Sequence, residues 1–290
     1  MRCHHKKYLS SSVLAITAFG VLLLFNPSPG LAVPILGSDL ASFAVLGATG
    51  VTNVATSTIG GNLGSAPNGS IGGGYVFSSG SLQANTSIAQ NAQVQLDAAI
   101  LAVNAFGPGT TITGGNLDAW ESSHGGSIIP GTYTVPAAPV NLVGNLVLNG
   151  QNNHNAVWNF LFPSTLITST TSNVTVEHVG NGAGVGLYWS VGSAATLNGP
   201  TFAGNVLAQT LISSDGNLTM GCGRLLSATS QVTLIMDKIS NGCGGGTGSI
   251  KSAGFDQGGL KSASVPEPAT LLLLGAGLVG LAAWRRRQAA

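Results

Sequence analysis

Apolar and polar residues alternate through most of this chain, in runs too short for helices. After about Thr110 the runs LVGNLVLNG, AVWNFLF, NVTVEHV, GVGLYWSVG, GNVLAQTLI and SQVTLIM alternate over a few positions and stop at Gly, Asn, Ser or Pro. That is the pattern of short strands with one buried face. Val185, Leu187, Trp189 and Val191 share one face of their strand; Val232 and Leu234 point one way and Thr233 and Ile235 the other. A single stretch breaks the pattern. Ser81–Phe106 holds neither Gly nor Pro, and Ile88, Ala92, Leu96, Ala99, Ile100 and Val103 recur at steps of three and four. It predicts one helix over about 82–106, roughly 36 Å long, stopped by Gly107-Pro108-Gly109. A single apolar stripe with a Gln- and Asn-rich back places that helix along a larger surface, not inside it.

The triplet Gly-Asn-(Leu/Val) stands at Gly61, Gly115, Gly144, Gly204 and Gly216. It marks a repeated corner at which Gly and Asn accommodate a left-handed backbone and the aliphatic residue turns inward. The intervals between triplets are 54, 29, 60 and 12 residues, so no fixed period holds. Two architectures fit equally: a β-sandwich with one attached helix, or a solenoid with irregular coils.

The chain ends differ in kind. Arg2, Lys6 and Lys7 precede an apolar run from Val13 to Phe25, and Gly30-Leu31-Ala32 supplies the small alternate residues a signal peptidase needs. Residues 1–32 are therefore expected to be a secretory signal. At the other end Ala269–Trp284 is uncharged, shorter than the about 20 residues of a usual spanning helix, and Arg285, Arg286 and Arg287 would hold that end in the cytoplasm. Residues 33–262 form the body and 263–290 a short transmembrane-like tail held transiently in the inner membrane.

Charge changes once the ends are set aside. The whole chain carries +1, but the body keeps only Arg224, Lys238, Lys251 and Lys261 against eight acids, a balance of −4. So few cations argue against nucleic-acid binding, which depends on phosphate neutralisation. Many aliphatics argue against disorder. Cys3 leaves with the signal, and Cys222 and Cys243 are expected to bridge in an oxidising compartment.

Catalytic chemistry finds little support. The acids are scattered, apart from Asp118 and Glu121, which with His124 stand at three-residue steps in DAWESSHGG. The Gly pair that follows makes this a solvated polar loop and not a metal or acid–base site. His154 fits a turn and His178 an outward strand position. No nucleophile elbow, phosphate loop or metal quartet is present, so no catalytic residue, metal or cofactor is expected.

Five pieces of Gly186–Asp237 stand in the order of the C-terminal coils of the microbial ice-binding-like family, which this stretch resembles. They are Val191-Gly192-Ser193, Ala195-Thr196-Leu197, Gly204-Asn205-Val206-Leu207-Ala208, Gly223-Arg224-Leu225-Leu226 and Val232-Thr233-Leu234. LGSDLASFAVLGATGVTN, followed by TSTIGGNLG, is similar to the family's opening, and the helix falls where the family places its long one. The resemblance implies a mainly β fold: a right-handed, discontinuous β-solenoid of triangular section, with one long helix alongside and the first and last coils adjacent. Val265-Pro266-Glu267-Pro268, the apolar run and the terminal arginines resemble the PEP-CTERM sorting signal of Gram-negative bacteria. This implies cleavage by an exosortase-type protease and export to the cell surface or extracellular matrix.

The family's ice-binding members imply a flat face of Thr and Ser. Alternation predicts Thr165, Thr196 and Thr233 outward beside inward Leu166, Leu197 and Leu234, with Ser213 or Ser214 on the corresponding coil. Thr56 and Thr58, and Thr111 and Thr113, are expected to extend that face, while Ile167 and Ile235 interrupt it. The expected partner is ice; the alternative is a non-catalytic adhesin or matrix protein that binds exopolysaccharide.

Overall fold

The computed structural model describes residues 34–181, 184–243 and 255–256. The expected secretory signal (1–32) and the sorting tail lie outside them. Among the described residues no helix is long and apolar enough to cross a membrane. Nineteen strands and three α-helices are formed there, numbered in chain order below.

The strands fall into parallel sheets. The first runs in the order β5 (Leu82–Ala84), β3 (Asn62–Ser65), β1 (Phe43–Gly47), β17 (Gly223–Ser227), β14 (Gly204–Ala208), β12 (Gly186–Val191), β9 (Val157–Phe162), β7 (Gly131–Thr134), β6 (Thr110–Thr111). The second runs β10 (Leu166–Ile167), β13 (Ala195–Leu197), β15 (Ile212–Ser214), β18 (Gln231–Ile235), β2 (Gly50–Gly60), with β4 (Ile71–Ser79) also on β2. β19 (Lys238–Ser240) and then β16 (Thr219–Met220) continue from the far half of β2. A third pair, β8 (Asn145–Asn149) and β11 (Asn173–Glu177), reaches β16 through bridges made by Thr201 to Asn173 and Thr219.

The expected contact between the start and the end of the body is present: β1 pairs with β17, and β2 with β18. This order explains the helices. After β5 the chain stands at one edge of the first sheet, and its next strand in that sheet, β6, lies at the opposite edge. Nine strands at about 4.8 Å put those edges roughly 38 Å apart. α1 (Ser38–Ala41) precedes the first strand, whereas α2 (Ser87–Asn104) carries the chain across and covers about 27 Å of that span itself.

α2 is shorter at its start than its periodicity predicts. Leu82–Ala84 is taken as a strand by pairing with β3, Asn85 adopts φ +51°, and Thr86 caps the helix by accepting from the Ala89 N–H. The buried stripe is Ala89, Ala92, Leu96, Ala99, Ile100 and Val103, and Ile88 is exposed. This stripe packs on Leu161, Tyr188, Leu207 and Leu226 from the outer side of the first sheet. β12 is consequently buried on both faces and shows no alternation of exposure.

The inner side of the sheet forms the main core. Tyr133, Phe160 and Trp189 are in register on β7, β9 and β12, with ring centroids 5.5 and 4.4 Å apart. Val206, Leu225 and Val45 continue that row. The aliphatic residue of every triplet, Leu63, Leu117, Leu146, Val206 and Leu218, is no more than 1% exposed. Gly61, Gly115, Gly204 and Gly216 have positive φ, as a corner requires; Gly144 is not among them. Cys222 and Cys243 are joined, with Cα atoms 4.5 Å apart, a cross-link of 21 residues that stabilises by about 3 kcal/mol.

Candidate functional site

Six strands present one row of outward positions. Pairing places Ile167 beside Thr196, Thr196 beside Ser213, Ser213 beside Thr233, Thr233 beside Thr52, and Thr52 beside Gly72. The inward neighbours Leu166, Ala195, Ile212, Val232 and Val51 are fully buried. The apolar core thus pins each strand, and the hydroxyl-bearing residues repeat at about the 4.8 Å strand spacing. The Thr52 hydroxyl donates to that of Thr233 at 3.2 Å. The β-branched threonines have few rotamers, so such a row is stiff before it meets anything.

Register corrects several sequence expectations. Thr165 is not in the row: Leu166 pairs with Ala195, which makes Ile167 the neighbour of Thr196 and leaves Thr165 one pleat away, ahead of β10. Thr56 and Thr58 are not in it either. β2 turns a corner at Ala55, which has φ +64°; Gly50–Val54 pairs with β18, whereas Thr58–Gly60 pairs with β19. Met236, at φ +51°, makes the matching corner between β18 and β19. Thr111 lies on β6 of the first sheet, and Thr113 begins a short 3₁₀ turn. The residue missed is Thr52, whose signal was its place between Val51 and Asn53 directly after Gly50.

Past the corner a second row runs Val76, Thr58, Lys238, Thr219, Thr201, Asn173, Asn145. Here Asn145, Asn173 and Thr201 satisfy one another. The Asn173 amide donates to Asn145 Oδ1 at 2.9 Å and to the Thr171 carbonyl at 3.1 Å, while its Oδ1 accepts from the Thr201 hydroxyl at 2.8 Å. In the first row the side chains of Thr196 and Ser213 make no hydrogen bond to protein among the described residues, so their hydroxyls remain open to solvent.

The acidic trio has a structural task. α3 (Leu117–Ser123) lies against β8, and Asp118 accepts from the N–H groups of Val143 and Gly144 at 2.9 and 3.1 Å. Glu121, 4% exposed, accepts from Val147 N–H at 2.8 Å. The carboxylates thereby complete a strand edge that would otherwise stand open. Burial, aided by the Asp118 charge, raises the Glu121 carboxyl above its ordinary range, and the Val147 hydrogen bond opposes this. His124 instead stacks on Trp120, with centroids 3.9 Å apart. Among the described residues no group of three His, Cys, Asp or Glu is placed to hold a metal. His154 accepts from Asn181 N–H, and His178 sits past β11 at φ +51°, a corner and not an outward strand position.

Two buried charges were also unforeseen. Arg224, 0% exposed, donates to the Ala41 carbonyl at 2.7 Å and to Asn205 Oδ1 at 2.8 Å, and pairs with Asp256 at 3.4 Å. Asp237, also fully buried, sits at the corner between the two rows.

A parallel-β scaffold that turns a stiff, uncharged row of hydroxyls to solvent belongs to the class of surface-recognition proteins. Comparison with known proteins names the family. The Ice-binding-like family model matches residues 45–240, and the chain belongs to that family. Residues 264–287 match the PEP-CTERM protein-sorting motif. An ice-binding protein of Nostoc sp. (strain HG1) is 31% identical over 288 residues, spanning 98% of this chain and 97% of that one. Among solved structures, the ice-binding protein of the Antarctic ascomycete Antarctomyces psychrotrophicus is 28% identical with a TM-score of 0.58, covering 71% of this chain and 97% of that one. One from an Antarctic biological consortium is 26% identical with a TM-score of 0.59, covering 72% and 92%. A glycosylated ice-binding protein from an Arctic yeast, 20% identical with a TM-score of 0.62 over 75% and 97%, shares the fold.

Proposed function

We propose that this chain is an exported, non-catalytic ice-binding protein acting through the row Thr196, Ser213, Thr233 and Thr52. The in-register pairing of these four residues over a fully buried layer is the observation that carries the reading. We read the sheets as faces of one right-handed β-solenoid of triangular section, discontinuous because the last circuit lies between β1 and β14. On such a face the threonine methyl groups confine water while the hydroxyls hydrogen-bond to it. Because strands and rotamers are already fixed, little entropy remains to be lost when that water layer joins a crystal. The second row is a poorer candidate, since its amides are spent on one another and Lys238 brings an exposed charge.

Thermal hysteresis and inhibition of ice recrystallisation test the reading directly. Absence of both at high micromolar concentration would end it. The sorting motif supports export, with a membrane protease acting beside Pro266-Glu267-Pro268. Mass spectrometry of the released protein should then find no peptide beyond about Pro268, and an intact C-terminus would overturn this part alone. The same motif favours a second reading, attachment to extracellular polysaccharide, which co-sedimentation with purified matrix would detect.

A further inference from the structure

We infer that Asp237 is the positioning residue of the recognition row: a buried carboxylate that fixes the register of the strands bearing Ser213, Thr233 and Thr52 without touching the ligand. The inference rests on the ice-binding reading of that row. The Asp237 carboxylate accepts from Leu218 N–H at 3.0 Å, from Ile235 N–H at 3.0 Å and from the Ser214 hydroxyl. Its own N–H donates to Ser57 Oγ at 2.9 Å, and the Ser57 hydroxyl donates to Asn53 Oδ1 at 2.9 Å. These partners adjoin the row. Ser214 follows Ser213, Asn53 follows Thr52, and Ile235 lies one pleat beyond Thr233.

Backbone pairing alone holds this part of the row weakly. β15 has three residues and meets β18 through two residue pairs, Ile212 with Val232 and Ser213 with Thr233. A slip of one residue would turn a hydroxyl inward and an aliphatic side chain outward. One side chain bonded to β15, β18 and the approach to β16, on a residue whose backbone N–H is tied through Ser57 to β2, opposes that slip where the ladder is short. A buried carboxylate is costly to keep, and fixing register is the best-attested reason to keep one. Other corners on this edge are neutral: Thr168 Oγ1 accepts from Asn198 N–H at 2.9 Å with no charged partner.

Asp237→Asn tests the inference because its amide would set a donor against either Ile235 N–H or Leu218 N–H. Hysteresis is measured near 0 °C on protein shown to be folded by circular dichroism, together with the ice planes bound by fluorescently labelled protein. Glu121→Ala is the control, a second buried carboxylate, on α3 and away from the near row. Asp237→Asn is expected to lower hysteresis at least about fivefold and to blur plane selection, with Glu121→Ala within about twofold of the parent, since a site loosened by a fraction of an ångström loses function before fold. Full activity of folded Asp237→Asn, while Thr233→Tyr abolishes it, overturns the inference and leaves the ice reading standing. Full activity of Thr233→Tyr sinks the reading itself, and the inference with it. If Asp237→Asn does not fold, Ser214→Ala, which removes the hydroxyl donated to the Asp237 carboxylate, replaces it: a folded variant with reduced hysteresis supports the inference, and one with full hysteresis overturns it.

Discussion

The two rows that meet at Ala55 share β2 and β4 and have the same parallel strand spacing over a buried apolar layer, yet they offer solvent different things. On the near side Thr196 and Ser213 leave their hydroxyls free; on the far side Asn145, Asn173 and Thr201 close into a ladder of side-chain hydrogen bonds. A polar side chain on a strand is therefore not by itself a recognition group. What matters is whether its hydrogen-bonding capacity is already used, and whether a charge such as that of Lys238 stands beside it.

The largest expected effect breaks the two rows apart. Thr233→Tyr, at the middle of the near row, should lower thermal hysteresis more than about tenfold because a ring raised above a flat face holds ice away, while Thr219→Tyr on the far row should change it less than about twofold. Equal losses from both would abolish the distinction. A smaller change sharpens it: Thr52→Val keeps the methyl groups but removes the hydroxyl that donates to Thr233, and a loss of about two- to threefold is expected in the same assay. On the far row Asn173→Ala should leave hysteresis unchanged and cost about 1 kcal/mol in chemical denaturation, since its role is internal.

The smallest effect concerns pH. The Glu121 carboxyl titrates above its unfolded-state value, so the folded state binds its proton more tightly. The stability linked to it is complete below the unfolded value of about 4.3 and is lost as pH rises through the folded one. Burial raises Asp237 as well. Acidification from neutral pH should therefore stabilise the protein through these two groups, and Glu121→Gln, which can still accept from Val147 N–H, should flatten part of that rise in thermal melts.

Much of the fold was legible because local rules decide it. Each expected run contains a strand, since alternation and Gly or Asn punctuation are local signals, and the helix was marked by the absence of Gly and Pro from Ser87–Asn104. Its first turn was misplaced because Leu82–Ala84 pairs with β3, a contact about 20 residues away that no local pattern announces. Asp118 and Glu121, expected in a solvated loop, lie instead on α3 with Glu121 buried, because the strand edge they satisfy belongs to Val143–Val147, which no local pattern announces. Arg224 and Asp237 enter the sequence only as part of the charge balance, whereas both are fully buried, because burial of a charge depends on partners brought from afar.

Of the near row, the sequence by itself determined the outward direction of Thr196 and Thr233, since alternation beside an apolar residue leaves them no other side, and left Ser213 and Ser214 as alternatives. Tertiary structure decided which hydroxyls stand next to one another. Register between parallel strands is set by corners and by ladders that join residues as far apart as Thr52 and Thr233, and the left-handed turns at Ala55 and Met236 sent Thr58 to another surface. A strand's own residues specify its faces, but only its neighbours specify its row.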